Sequence, residues 1–314
     1  MRIVFMGSPD FGVPTLQRLL ETRHQVVAVY TQTDKPAGRG RDVESPPVKA
    51  FAQEHGLQVL QPRSLRRPEE VERLRSLSPD VIAVAAYGKL LPQDVLDIPP
   101  HGCLNVHPSL LPRHRGASPI AGAILAGDEV TGVTIILMDA GMDSGPILLQ
   151  ETYPISPDDT TATLMPKLAE LGADLLVETL EKWLKREIAP KPQDESRATF
   201  TQLLTKEAGE IDWRLPAVDI WRRVRAYQPW PGCYTRWQGR VLKITAATPV
   251  DSQSPGPGSI VSLVKAVNEG AAVGVGTGQG ILGLIRLQME GKRELPAEEF
   301  VRGQRGFVGS ALPS

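Results

Sequence analysis

The sequence predicts an α/β chain in two parts: a doubly wound, mainly parallel sheet domain followed by a small β-barrel. Three observations carry this. The first part alternates short runs rich in valine and isoleucine with stretches of helical spacing, the pattern of a parallel sheet covered by helices. The second part holds several short apolar runs separated by glycine turns, as small barrels do. A length of 314 residues is long for one core. The polar, proline-bearing stretch Ile188–Arg197 is the natural boundary, which predicts domains at 1–189 and 206–314 with a linker at 190–205.

Taken in order, Arg2–Met6 is a short apolar strand and Gly7–Gly12 a turn. Pro14–Glu21 carries leucines at helical spacing, and His24–Thr31 is a valine-rich strand. This strand–turn–helix–strand unit is Rossmann-like. The turn Gly7-Ser8-Pro9-Asp10-Phe11-Gly12 lacks the middle glycine of a dinucleotide fingerprint, and no Gly-Lys-Ser/Thr follows, which argues against nicotinamide binding and a P-loop. Gln32–Pro47 is a long polar loop holding Lys35, Arg39 and Arg41. Val48–His55 is a helix, Gln58–Gln61 a short strand and Glu69–Leu77 a charged surface helix. Asp80–Ala86 is a central strand, so Gly88–Leu91 lies where ligands of such sheets collect.

Ser118–Ala126 reads as a helix, and Val130–Met138 and Ile147–Ile155 as strands. A stripe through Leu164, Leu168, Leu175 and Leu184 marks a long helix; Pro166 requires it to start near Ala162–Leu164, and Trp183 reads as core. In the second part Ala217–Tyr227 is an amphipathic helix, and Tyr234–Trp237 and Arg240–Ala247 form a hairpin. Further strands fall at Ser259–Val264, Ala271–Val275 and Gly280–Leu287, with a hairpin turn at Gly274–Gly280. Trp213, Trp221, Trp230 and Trp237 sit among arginines; core packing is the expectation for Trp221 and Trp230, with the arginines left as phosphate ligands.

Composition is that of a globular protein, 41% hydrophobic and 23% charged. No apolar run reaches membrane-spanning length, Met1–Met6 lacks the flanks of a signal peptide, and the two cysteines read as buried reduced thiols, so the expected location is the cytoplasm. Residues 206–314 hold 14 Lys+Arg against 10 Asp+Glu, net +4, leaving −5 for residues 1–205. A positive second half suits a polyanionic partner. His101, His107 and His114 have no metal-ligand spacing, and no metal is expected.

Chemistry concentrates in two stretches. In Gly102-Cys103-Leu104-Asn105-Val106-His107-Pro108, Asn105 and His107 share one face of a strand that Pro108 ends. Ser109–Pro112 is a small apolar loop, and Arg113–Gly116 a basic turn. An amide can donate to a developing oxyanion and an imidazole can handle a proton, which is what an acyl-transfer site needs. The second stretch, Asp139-Ala140-Gly141-Met142-Asp143-Ser144-Gly145, follows a buried strand and offers two carboxylates, either of which could orient the histidine and raise its pKa.

The run from Asn105 to Gly116, the Asp143 loop, the opening Met1–Gly12 and the segment Arg225-Ala226-Tyr227-Gln228-Pro229-Trp230-Pro231-Gly232 together resemble the folate-dependent formyltransferases over nearly the whole chain. The resemblance implies 10-formyltetrahydrofolate as formyl donor and the α-amine of methionyl-initiator tRNA as acceptor. It implies a catalytic set of Asn105, His107 and Asp143, with the carboxylate role on Asp143 and Asp139 forming the turn. His107 acts there as an imidazolium. The resemblance also implies a folate pocket between Ser109, Leu110, Leu111 and Pro112 on one side and Gly88 and Leu90 on the other. The loop carrying Lys35, Arg39 and Arg41 approaches the RNA acceptor end, and the C-terminal domain is OB-like. A monomer with no membrane partner is expected. Two alternatives keep the chemistry and change the acceptor, to a nucleotide-linked amino sugar or to water; a third is a non-catalytic RNA-binding module.

Overall fold

The computed structural model describes residues 1–37, 42–264 and 270–313, leaving aside the side chains of 35–37 and 42–43. It divides into two compact units whose chain segments interleave: residues 1–119, 130–154 and 165–202 form the first, and 120–129, 155–164 and 203–314 the second. The boundaries expected from the sequence follow chain order; these do not.

In the first unit the elements are β1 (Arg2–Gly7), α1 (Val13–Glu21), β2 (Gln25–Tyr30), β3 (Lys35–Ala37), β4 (Asp42–Glu44), α2 (Pro47–Glu54), β5 (Val59–Leu60), α3 (Pro68–Ser76), β6 (Val81–Ala85), α4 (Gln93–Leu96), β7 (Cys103–His107) and β8 (Arg115–Gly116). After α5 (Pro119–Ala126), which belongs to the second unit from Ile120 on, come β9 (Val130–Leu137), β10 (Ile147–Pro154), α6 (Thr161–Leu184), of the first unit from Met165 on, and β11 (Phe200–Thr201). Seven strands form one sheet in the order β10-β9-β7-β6-β1-β2-β5. The five from β7 to β5 are mutually parallel; β9 runs antiparallel to both β7 and β10. The expected doubly wound, mainly parallel sheet is present, with an antiparallel pair on one edge.

Strand alternation explains the core. Val4 and Met6 of β1 pack with Tyr30, Ile82, Val84, Leu74 and Val95 on one face of the sheet, while Phe5 points to the other, toward Gly12 and Val48. At Gly7 a Cβ would stand 2.8 Å from the Ala85 carbonyl oxygen, so the turn after β1 admits no side chain. Gly172 of α6 does the same for the helix: a Cβ there would meet Val106 at 2.5 Å, and its absence seats α6 on β7.

Two local expectations change. The polar loop after β2 contains a short hairpin, β3 against β4. The long helix begins at Thr161, not Ala162–Leu164, so Pro166 lies inside it beyond the first turn.

In the second unit α7 (Ala217–Ala226) precedes β12 (Cys233–Trp237), β13 (Arg240–Val250), β14 (Ile260–Ser262), β15 (Val273–Gly276), β16 (Ile281–Met289), β17 (Glu294–Pro296) and α8 (Ala297–Gly303). The strands make one antiparallel sheet, β12-β13-β16-β15-β14 with β17 on β16. Register shifts between Ile244 and Ala247 bend the long strand β13 and curl the sheet into an OB-like half-barrel. Gln238 and Gly239, with φ of +50° and +71°, turn the β12–β13 hairpin. β17 and α8 had no counterpart in the sequence reading; α8 supplies Phe300, which packs edge-on with Trp237 and Phe307 at 5.1–6.2 Å between ring centres. Trp230 overturns its expectation of core packing: it is 54% exposed. Trp221 is half-buried under the Arg225 guanidinium, 4.4 Å from its ring centre. Among the described residues no helix is long and apolar enough to cross a membrane.

Candidate active site

β7 delivers the first two groups. It lies between β6 and β9, with Asn105 paired to Val84 on one side and Ile136 on the other. Two residues apart on one strand, the Asn105 and His107 side chains share a face. His107 is buried, 4% exposed, and Asn105 half-buried.

Asp143 reaches His107 by a route that sequence reasoning did not foresee. Because β9 is antiparallel to β7, its last residue Leu137 pairs with Leu104 at the start of β7, not with His107 at its end. Three residues of strand span about 10 Å. The loop from Met138 to Pro146 therefore has to fold back along the sheet, and it sets Asp143 Oδ1 3.6 Å from His107 Nδ1. The Gly116 amide donates to Asp143 Oδ2 at 2.8 Å. Asp143 itself has a φ of +52°, sparsely populated for a residue with a side chain, which only a loop pinned from elsewhere sustains. Asp139 does form the turn: its Oδ1 accepts from the Gly141 amide and the Ser144 hydroxyl.

The tautomer of His107 follows from its other contact. Nε2 lies 3.0 Å from the His114 carbonyl oxygen, which can only accept, so Nε2 carries the proton. Burial pushes the imidazole pKa below its ordinary 6.5; Asp143 opposes that shift, but burial is the larger effect. The shift favours the neutral ring, in which Nδ1, beside Asp143, is the nitrogen left to take up a proton. The imidazolium expected during transfer is the state that His107 reaches on taking up a proton.

The loop after β7 is fixed from beneath. Thr134, pairing with His107 across β9, donates from its hydroxyl to the Ser109 carbonyl at 2.6 Å and accepts from the Leu111 amide at 3.2 Å and from Gln150 Nε2 at 2.7 Å. Gln150 also donates to the Leu111 carbonyl. Ser109 and Leu111 are buried, while Leu110 and Pro112 are half-buried. Gly88 and Leu90 follow β6, the parallel neighbour of β7, so their loop leaves the same sheet edge; Gly88 has a φ of +73° beside the Gln32 amide, and Leu90 is 65% exposed. Arg39 and Arg41 lie outside the described residues. Lys35 falls in β3, its side chain also outside them.

Sequence reasoning missed a group downstream. Arg115, only 2% exposed, donates from Nε and Nη2 to Gln193 Oε1 and from Nη1 and Nη2 to the two oxygens of Glu195. That pairing raises the Arg115 pKa and holds the Glu195 carboxyl below its usual range. Gln193 Nε2 donates to the carbonyls of Asp143 and Gly145, both at 2.7 Å. The Thr199 hydroxyl accepts from the His114 amide, and β11 pairs with β8. Within the expected linker 190–205, residues 193–201 are bonded along the site. Nothing in the sequence marks Arg115 as buried, so its need for a partner carried no signal there.

A family model described as formyl transferase matches residues 1–180, and one described as formyl transferase, C-terminal domain, matches 203–305. A methionyl-tRNA formyltransferase of Roseiflexus sp. is 53% identical over 99% of this chain and 95% of its own length. One of Dehalococcoides mccartyi is 50% identical over 99% and 98%. Among solved structures, HypX from Aquifex aeolicus in complex with tetrahydrofolic acid superimposes with a TM-score of 0.60 at 20% identity, over 99% of this chain and 48% of HypX. The N-formyltransferase from Helicobacter canadensis does so with 0.66 at 15%, over 93% and 99%. These two likenesses concern the fold.

Proposed function

The chain belongs to the formyl transferase family, and on that premise we propose that it moves a formyl group from 10-formyltetrahydrofolate to the α-amine of methionyl-initiator tRNA, as a cytoplasmic monomer. The observation that carries the chemistry is the buried His107, with Nε2 against the His114 carbonyl and Nδ1 3.6 Å from Asp143 Oδ1. The full-length relatives support the choice of acceptor.

The folate supplies a formyl carbon open to attack. Asn105 donates to the formyl oxygen as that oxygen gains negative charge. The attacking amine must shed a proton, and His107 Nδ1 takes it, directly or through water. Asp143 then steadies the imidazolium. As the carbon–nitrogen bond to folate breaks, the same proton is returned to the departing nitrogen. No step in this scheme calls on a metal. The loops Gly88–Leu91 and Ser109–Pro112 suit a flat heterocycle, because Leu90, Leu110 and Pro112 offer apolar surface at one sheet edge. For the RNA, Lys35, Arg39 and Arg41 meet the acceptor end, while residues 206–314, net +4, track phosphates. The division of labour is 1–189 for chemistry and 206–314 for RNA, joined through 190–205.

The test is formyl transfer from the folate to charged initiator tRNA, to a nucleotide-linked amino sugar and to water. Turnover with the tRNA alone is expected. Faster turnover with the amino sugar, or donor hydrolysis as fast without acceptor, would overturn the reading.

A further inference from the structure

The proposed site contains a residue pair held at a separation that neither residue sets. Asp143 lies in a loop folded back over the sheet, with a left-handed φ of +52°. Its carboxylate accepts from the Gly116 amide. Its backbone is gripped from fifty residues downstream. The Gln193 side chain spends both amide hydrogens on this loop, on the Asp143 and Gly145 carbonyls, and its oxygen takes two donors from Arg115. Arg115 is locked in turn by the fork of Glu195. Every polar atom of the Gln193 amide is used in an orientation that Arg115 dictates, since the guanidinium can only donate. Arg115 and Gly116 form β8, and the Gly116 amide bonds the carboxylate. Thus one end of the network touches the Asp143 side chain and the other its backbone. Residues 193–195 fall between the two ranges matched by the family models.

We infer that Gln193, oriented by the Arg115–Glu195 pair, is a positioning residue that sets Asp143 against His107. It touches no reacting group; it acts through Asp143. This rests on the reading of His107 and Asp143 given above. A charged side chain at 193 could keep the Arg115 contact but would turn an oxygen toward the two loop carbonyls, repelling what the amide now holds.

The experiment is a double-mutant cycle on the full-length enzyme, read as the single-turnover rate of formyl transfer to charged initiator tRNA with KM for both substrates. Gln193→Ala should slow transfer about 10- to 100-fold, the cost of a misplaced catalytic group, with each KM within about twofold of wild type. Gln193→Glu, which keeps an acceptor for Arg115, should fold and be as slow, and it decides the matter if the alanine variant does not fold. In an Asp143→Asn background, Gln193→Ala should cost less than about twofold more, because the residue it positions is already disabled. A wild-type rate in Gln193→Glu overturns the inference. So does a Gln193→Ala penalty undiminished in Asp143→Asn, which would leave the reading of the site standing. An Asp143→Asn enzyme as fast as wild type overturns that reading and the inference together.

Discussion

Replacing Thr134 with valine deletes one hydroxyl at nearly constant volume. The hydroxyl is fully buried, donates to Ser109, and accepts from Leu111 and Gln150. Valine leaves the Ser109 carbonyl and the Leu111 amide without that partner, at about 1–3 kcal/mol each. Gln150 can keep its bond to the Leu111 carbonyl, so its loss is smaller. Allowing for relaxation, the sum is about 2–4 kcal/mol, which lowers a melting temperature by roughly 5–10 °C in a unit of this size. Thr134→Ser keeps the hydroxyl and loses only a buried methyl, worth about 1 kcal/mol. Calorimetric unfolding of both variants measures the difference, and folate KM reports on the loop Ser109–Pro112, which should rise in the valine variant alone. Equal melting temperatures for Thr134→Val and Thr134→Ser would show that the hydroxyl does not anchor the loop.

Four further outcomes follow from the site and the core. Because burial lowers the His107 pKa and transfer needs its Nδ1 free, the acid limb of kcat/KM should show, beneath the ionisation of the acceptor amine, a second group titrating below 6.5; a rate that instead rises as pH drops through that range would require a resting imidazolium. Alanine at Asn105, His107 or Asp143 should each lower kcat by about 10² or more while circular dichroism stays unchanged. Arg39→Ala should reduce turnover on charged tRNA more than affinity, and tRNA affinity should drop steeply between low and high salt, as filter binding would reveal. Cys103 and Cys233, both buried with pKa pushed up to about 12, should resist alkylation at pH 8 until the chain unfolds; labelling of the native protein would contradict this.

Much of this molecule could be read in advance because its signals are local. Val81–Ala85 is apolar at every position because it is covered on both faces, and Asn105 and His107 share a face because strands alternate. What the sequence hid is long-range. Nothing in Val130–Leu137 says that it runs against β7, and that direction decides how the Asp143 loop must travel. The lowered pKa of His107 reflects how deeply β7 is covered, which residue types do not encode. Gln193 and Glu195 read as linker residues, since polar side chains near a proline read alike whether or not a buried arginine lies against them; Glu195 pairs with Arg115 from an exposed position. Trp230 reads as core by type; it sits in the open between two prolines.

The pairing of β11 with β8 bears on how the protein is made. A nascent chain emerges from its amino end, at about 5–20 residues per second. The last strand of the seven-stranded sheet ends at Pro154, whereas Gln193, Glu195 and Phe200 are translated some forty to fifty residues later. Each growing molecule therefore passes through an interval of several seconds in which all seven strands exist and Arg115 lacks the fork of Glu195. On the role inferred for Gln193, assembly of the scaffold and arming of the chemistry are separate events in the life of the chain, and the second waits on a segment that lies outside the seven-stranded sheet.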